Sequence, residues 1–325
     1  MTSPPPKPLR VRVLDGQGGG RPIAWDEVMR WTPKDGTLWI HVDADDEPTS
    51  SWFRESSGLP ETVREALVSP ESRPRCHVAG DALLVVLRGV NLNPGSDPED
   101  MVALRMWISP RRVVSASRRN IMAVKDVFEA VDAGSGPKSA GDLLTWLSWH
   151  LLQRMGPVLL DLDESIDTFE ERIDLERPGV LQGPLAELRR TIIALRRHLF
   201  PQREVLARLA GMQHAVLDAE HAAELLEHAD RVTRHVENLE ELRDRTTVSH
   251  DLLASRQAEA MNRRMLVVSL VAAVFLPLSL LTGLLGINVG GIPGSESPLA
   301  FSVVCAIILG LGGLQFLALR RMKWL

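Results

Sequence analysis

The sequence predicts an α+β cytoplasmic domain, then a long helical stalk, then two transmembrane helices at the C-terminal end. Three observations lead there. Two apolar stretches, Met265 to Leu285 and Leu299 to Leu319, each run for 21 residues without Asp, Glu, Lys, Arg or His. A helix rises ~1.5 Å per residue, so each can cross a ~30 Å hydrocarbon core. From Asp218 no Gly or Pro occurs until Pro277, which predicts one helix from Asp218 to Leu285, about 100 Å long. Upstream, Leu9 to about Val131 carries short Val- and Leu-rich runs bounded by Gly, Pro and Asp, the pattern of strands.

Residues 1–135 read as the mixed domain. Strands are expected at Leu9–Leu14, Leu38–Val42, Arg75–Val78, Ala82–Val90, Val102–Ile108 and Arg112–Ala116, with helices at Pro60–Leu67 and Met122–Val131. The run from Asp15 to Gly20, DGQGGG, lacks the Lys-Ser/Thr of a phosphate loop and the dinucleotide spacing, so it reads as a turn. The domain is long enough to bury its own core. A Gly/Ser/Pro patch, Ala133–Ser139, ends it.

Residues 139–211 read as an antiparallel helix pair. The first helix, Asp142–Glu176, ends in the acidic run DLDESIDTFEERIDLE and stops at Pro178-Gly179. The second, Pro184 to about Leu209, carries Arg189, Arg190, Arg196 and Arg197. Charge neutralisation between the two is the expected role, with a cation-concentrating acidic lobe as the alternative.

Residues 218–264 form the expected stalk. A helix this long needs partners, so copies of the chain should bundle. Counting back in sevens from Met265 passes Ala258 and reaches Asp251, Asp244, Glu237 and Asp230. Four acids thus share one face. They suit either the wall of a water-filled funnel or a solvated outer face. A second series, His214, His221, His228 and His235, lies half a turn away. Neighbours seven residues apart are ~10 Å apart along the helix, so one metal ion cannot bridge them without ligands from another element. Exposed histidines are the expected reading, with metal binding at His221, His228 and His235 as the alternative.

In the first span, 265–285, one face carries Met265, Val268, Ala272, Phe275, Ser279 and Gly283 and continues to Gly286. Ser279 offers an oxygen and Pro277 loosens the helix. Neither span holds a carboxylate or histidine for an intramembrane proton relay. Residues 286–298 form the outer loop, in which Glu296 is the sole charge, and 299–319 the second span. Arg263 and Arg264 precede the first span, and Arg320, Arg321 and Lys323 lie in the tail, 320–325. The basic flanks place both termini in the cytoplasm. The N-terminal residues show no apolar stretch of a signal peptide. Cys76 and Cys305 make neither a disulfide framework nor a metal cluster. Cys76 is expected buried on a strand and Cys305 packed within the second span. A net charge of −5 argues against nucleic acid as the partner. In Leu9–Val131 no catalytic constellation is seen, so an enzyme is not expected.

The first span ends FLPLSLLTGLLGINVGGIPG, Phe275 to Gly294, and the chain closes on RRMKWL. This resembles the CorA family of divalent-metal transporters, whose Pro-containing first span ends in Gly-Met-Asn. Here the tripeptide is Gly286-Ile287-Asn288, and with the following Val-Gly-Gly-Ile-Pro-Gly it resembles the zinc-transporter branch, ZntB. The resemblance implies a homopentameric funnel in a bacterial inner membrane, with first spans lining the pore and no tightly bound cofactor. It implies that Asn288 sits in a ring at the outer mouth, Ser279 within the pore, Met265 at the constriction and Asp251 at the funnel neck. Ile287 in place of methionine departs from the magnesium pattern and favours zinc-type divalent cations. The expected activity is zinc uptake, with proton coupling open. The alternatives are a magnesium, cobalt or nickel channel, zinc efflux, or a membrane-anchored metal-sensing scaffold.

Overall fold

The computed structural model describes residues 10–71, 73–287 and 297–321. They fall into two compact units, one running to His250 and the other beginning at Asp251.

The first unit is built on a seven-stranded sheet. Its strands are β1 (Arg10–Leu14), β2 (Gly20–Pro22), β3 (Thr37–Asp43), β4 (Arg75–Ala79), β5 (Ala82–Gly89), β6 (Val102–Ile108) and β7 (Arg112–Ser117). Their order is β2-β1-β3-β7-β6-β5-β4. Only β3 and β7 run parallel; the other pairs are antiparallel. The DGQGGG run is the β1–β2 turn. Asp15 Oδ1 accepts from the backbone N–H groups of Gln17 and Gly19 at 2.7 and 3.0 Å, and Gly16 and Gly18 take positive φ. Besides the expected strands and helices, the structure adds β2, a short α1 (Trp25–Val28), a 3-10 turn at Pro33–Asp35 and α2 (Glu47–Glu55). Asp46 caps α2 by accepting from Thr49 N–H.

Side chains alternate across the sheet and supply two cores. On one face Trp39, Leu83, Val85, Leu87, Met106 and Ile108 meet α4 (Met122–Asp132) and the helices after it. Trp39 stacks on Phe128 with ring centroids 3.8 Å apart. On the other face Leu38, Ile40, Leu84 and Val114 meet Trp52 and Phe53 of α2 and Val63 and Leu67 of α3 (Glu61–Val68). Cys76 is buried on β4, as expected.

The helical region departs from expectation in three ways. The helix expected from Asp142 to Glu176 is two: α5 (Ala140–Gln153) and α6 (Met155–Ile173). Pro157 has no N–H to offer the Gln153 carbonyl, and Gly156 precedes it, so the helix breaks at Arg154. The next helix, α7 (Pro178–Ala210), starts six residues before Pro184. Pro178 occupies its first turn, where a missing N–H goes unmissed, and Pro184 lies inside it.

The third departure is in the charges. The α7 arginines do not neutralise the acidic run of α6. Among the described residues, Arg245 of α8 (Ala219–Leu285) does so, reaching Asp163 at 2.8 Å and Glu170 at 2.7 Å and also bonding Asp167. These carboxylates hold the guanidinium firmly protonated. Arg196 of α7 pairs instead with Glu240 of α8 at 2.9 Å, and Arg190 pairs with Glu187 inside α7.

The second unit comprises the C-terminal part of α8 and α9 (Ala300–Arg321). Both helices are long and apolar enough to cross a membrane, with none of their apolar windows buried. Cys305 is half-buried.

Acid should weaken the first unit through its buried histidines. His41 lies within the sheet, its Nδ1 2.9 Å from Ser115 Oγ, and burial pushes it down to about 3. His198 is pushed down to about 4 by burial and then by Arg88 and Arg197. Unfolding frees both to bind protons near 6.5, so their contribution is full above that pH and is lost as pH falls toward the folded values. Melting temperature should drop steeply between about pH 6.5 and 4, with His41 alone costing about 2 kcal/mol near pH 5. His41→Gln should flatten that slope; an unchanged slope would exclude His41 as its source.

Candidate ion pathway and cation-binding residues

In the second unit, the residues expected to line a path lie on one uninterrupted stretch of α8. Met265, Val268 and Phe275 are about 60% exposed or more in the single chain (59, 68 and 61%). Ser279 and Gly283 are exposed as well, while Ala272 is half-buried. The helix passes through Pro277 without ending. Its last turn closes by Gly286 N–H donating to the carbonyls of Thr282 at 2.9 Å and Gly283 at 3.2 Å. The Thr282 hydroxyl turns back to the carbonyls of Leu278 and Ser279, both at 3.1 Å. The Thr282 hydroxyl is therefore spent on the helix's own backbone, as suits a segment in lipid. Gly286 and Ile287 are exposed at the helix end. Asn288 and Glu296 lie outside the described residues.

The acidic series is exposed along α8. Asp230, Glu237 and Asp244 are in the first unit and Asp251 in the second. Asp244 is paired with its neighbour Arg243 at 2.8 Å. The opposite side of the helix packs inward through Leu225, Ala229, Val232, Val236, Leu239 and Leu242. That leaves the acids on a face that the protomer's own core does not use.

The histidines correct the expectation of an exposed series. His221 and His228 are buried, at 7 and 6% exposure, and His214 and His235 are half-buried. The reason is the half-turn offset from the acids, which brings the histidines onto the inward-packing side of the helix. His221 meets two carboxylates. Its Nε2 is 2.6 Å from Asp142 Oδ1 on α5, and its Nδ1 is 2.8 Å from Asp218 Oδ1. Burial raises the Asp142 carboxyl, but hydrogen bonds from His221, Lys138 N–H and Ser139 outweigh it and leave the group below its usual range. Asp142 also forms a capping box with Ser139 at the start of α5. Sequence reasoning missed this partner. Its legible trace was Ser139 followed three residues later by an acid.

His228 lines a small cleft with Trp146, Trp149, Glu224 and Glu227. Burial holds it below its usual value against the pull of those two glutamates. His235 is pushed down to about 4 by burial, then by Arg231 and Arg234. The three histidines therefore have three separate environments. Among the described residues no three His, Cys, Asp or Glu side chains are grouped to hold a metal ion.

Residues 34–321 match the family described as CorA-like Mg2+ transporter protein. The divalent cation transporter CmaX of Pseudomonas aeruginosa is 39% identical over 317 residues, covering 96% of this chain and 95% of that protein. The zinc transport protein ZntB of Pectobacterium carotovorum is 35% identical over 312 residues, covering 96% and 94%. Among solved structures, a full-length CmaX superposes with a TM-score of 0.83 at 36% identity, covering 99% of this chain and all of that one. The complete CorA magnesium transporter of Methanocaldococcus jannaschii superposes with a TM-score of 0.84 over the full length of both at 15% identity, a likeness of fold.

The His221 clasp can be tested without touching a charge. A Cβ at Gly141 would stand 2.5 Å from the Val216 carbonyl oxygen and 2.6 Å from His221 Cε1. Backbone and a wedged ring cannot both yield. Gly141→Ala should cost about 1–3 kcal/mol in the stability of the first unit, read from thermal or urea unfolding. A melt equal to the parent's would show that α5 and α8 do not meet this closely.

Proposed function

This chain belongs to the CorA-like family of Mg2+ transporter proteins, and from that membership we propose that it carries divalent cations, zinc first, into the cell as a homopentamer in the bacterial inner membrane. One observation carries the reading. A single helix, α8, bears an exposed acidic series and continues without a break into an apolar span ending at Gly286-Ile287. Five copies would bring the acids together around one axis, where they raise the local cation concentration and draw ions toward the pore. The exposure of Asp230, Glu237 and Asp244 in the protomer supports that arrangement, as does the unpartnered apolar surface of both C-terminal helices.

In this reading Asn288 and Glu296 act at the outer mouth. Five Asn288 carbonyls hydrogen-bond the water shell of an arriving ion, and Glu296 adds attraction. Ser279 supplies a hydroxyl within the span. Met265 closes the path near the cytoplasmic side, because a ring of thioethers offers a hydrated ion no compensation for lost water. The basic residues flanking both spans favour cytoplasmic termini. Oxygen ligands alone do not choose zinc over nickel, cobalt or magnesium. The zinc preference rests on Ile287 in the tripeptide and on the likeness to ZntB, and the CmaX likeness favours a broader divalent range. Neither span holds an acidic, basic or histidine side chain, so uptake driven by the membrane potential is the simplest account, and proton coupling would have to use groups outside the spans.

The deciding assay is zinc flux into proteoliposomes containing this protein alone, with nickel, cobalt and magnesium arms and a pH-gradient arm. Saturable zinc entry is expected; its absence with every ion would leave the scaffold reading standing. Asn288→Ala should keep the oligomer in detergent and abolish flux, while normal flux would remove Asn288 from the pathway. Asp244→Cys should crosslink between subunits if the acids line a lumen.

Met265 gives a separate expectation. Met265→Gly and Met265→Asp should raise leak several-fold, and for several divalent ions alike, because an apolar gate carries no ligand selectivity. Conductance equal to the parent's would move the constriction to another level, with Val268 on the same face as the next position.

A further inference from the structure

The chain carries a net charge of −5, yet one cleft is strongly basic. It lies in the first unit between the edge strand β4 and helix α7, holds about 310 Å³, and is lined by Arg73, Arg75 and Arg208 with Glu204 as the lone acid. Three guanidiniums face one carboxylate. Among the described residues none of the three arginines forms an ion pair, not even with Glu204 in the same cleft. Arg75 is half-buried, and its buried Nη1 has no hydrogen-bond partner among the described residues. A buried guanidinium donor without an acceptor is costly to keep.

Apolar side chains complete the lining. Pro201 and Val205 from α7 and Cys76 from β4 are buried residues of the same cleft. Burial pushes the Cys76 thiol up, and nearby Arg208 only partly opposes this. The thiol stays neutral and supplies no counter-charge. The positive field of Arg75 also reaches the interior of the sheet. Arg105 on β6 is lowered to about 10, by burial first and then by Arg118, Arg88 and Arg75. Such a field beside a buried apolar lining favours an anion that accepts several hydrogen bonds at once.

We propose that this cleft binds phosphate, either inorganic phosphate or the phosphate end of a nucleoside polyphosphate. A phosphate seated there accepts from Arg73 and Arg208 at the rim. A turn about the terminal torsions of Arg75 brings its unpartnered nitrogen onto the same anion. The volume suits a phosphate or short polyphosphate group and leaves a nucleoside outside on the open side. Glu204 limits affinity and permits release.

The test uses the full chain in detergent, titrated calorimetrically at fixed ionic strength with sodium phosphate and, separately, with metal-free ATP. Saturable binding of at least one is expected. Arg75→Gln and Arg208→Gln should each weaken it by about tenfold or more, and Glu204→Gln should tighten it several-fold. Displacement of ATP by phosphate assigns the site to the phosphate group alone; ATP binding that phosphate does not displace assigns it to the nucleotide. Melting temperatures check folding. If Arg75→Gln does not fold, Arg208→Gln and Glu204→Gln, both at exposed positions, give the same reading. No saturable binding of either anion by the folded parent, or binding indifferent to Arg208 and Glu204, would overturn the proposal.

Discussion

One helix must satisfy two solvents, and the arrangement of this protein follows from that constraint. The N-terminal half of α8 works in water. It buries Leu225, Val232, Val236 and Leu239 against its own unit and leaves Asp230, Glu237 and Asp244 exposed. The last turns carry no charge at all from Met265 to Leu285. At 100° per residue, fixing the inward stripe fixes every other face. The packing that seats α8 therefore also decides where the acids point. A change of seating by one residue would turn the acids toward the unit's own core, where unpaired carboxylates are costly.

Arg245 reinforces that seating. It reaches across to three carboxylates of α6 spaced along one face, Asp163, Asp167 and Glu170. The side chain is about a quarter exposed, at 26%. Each pair alone is therefore worth little in water. A single guanidinium serving three acids has another effect. Those acids repel one another, and removing the arginine would leave that repulsion uncompensated. Salt screens exposed pairs of this kind, so the clasp is stronger at low ionic strength. It also uses up acids that would otherwise count as a free cation-concentrating lobe. The expected pairing with α7 is replaced, for these three acids, by a cation from α8.

The strands were legible because each had Val and Leu runs cut by Gly, Pro or Asp, and β6 falls on its expected residues. The elements left unread, α1, α2 and β2, are short and set by capping and turn chemistry more than by periodicity. Pro157 was the visible signal for the break between α5 and α6, and its weight was underestimated beside the long helical pattern around it. The histidines failed for a different reason. Their half-turn offset from the acids was evident in the sequence, but the face that packs inward was not. Leu225, Val232, Val236 and Leu239 lie close in phase with the histidines, and reading those two series together would have placed His221 and His228 inside. The partner Asp142 lies 79 residues away, a separation that periodicity cannot bridge. The Arg75–Arg208 cleft is equally remote in sequence, joining an edge strand to a helix more than one hundred residues later.

Pro277 supplies the last link between backbone chemistry and ion passage. It has no N–H for the carbonyl of Ala273, so that oxygen lacks its ordinary helical partner. In hydrocarbon an unsatisfied carbonyl costs several kcal/mol. Facing lipid, this would be a defect. Facing a wet path, the same oxygen is solvated by water or by the shell of a passing ion, and the cost disappears. A neighbouring helix or an ordered water can also relieve such a carbonyl, so the proline makes the middle of the span a place where the backbone needs a partner from outside its own helix. The proposed path needs no metal ligand in the membrane either, since in it ions keep their water and meet one dry level at Met265.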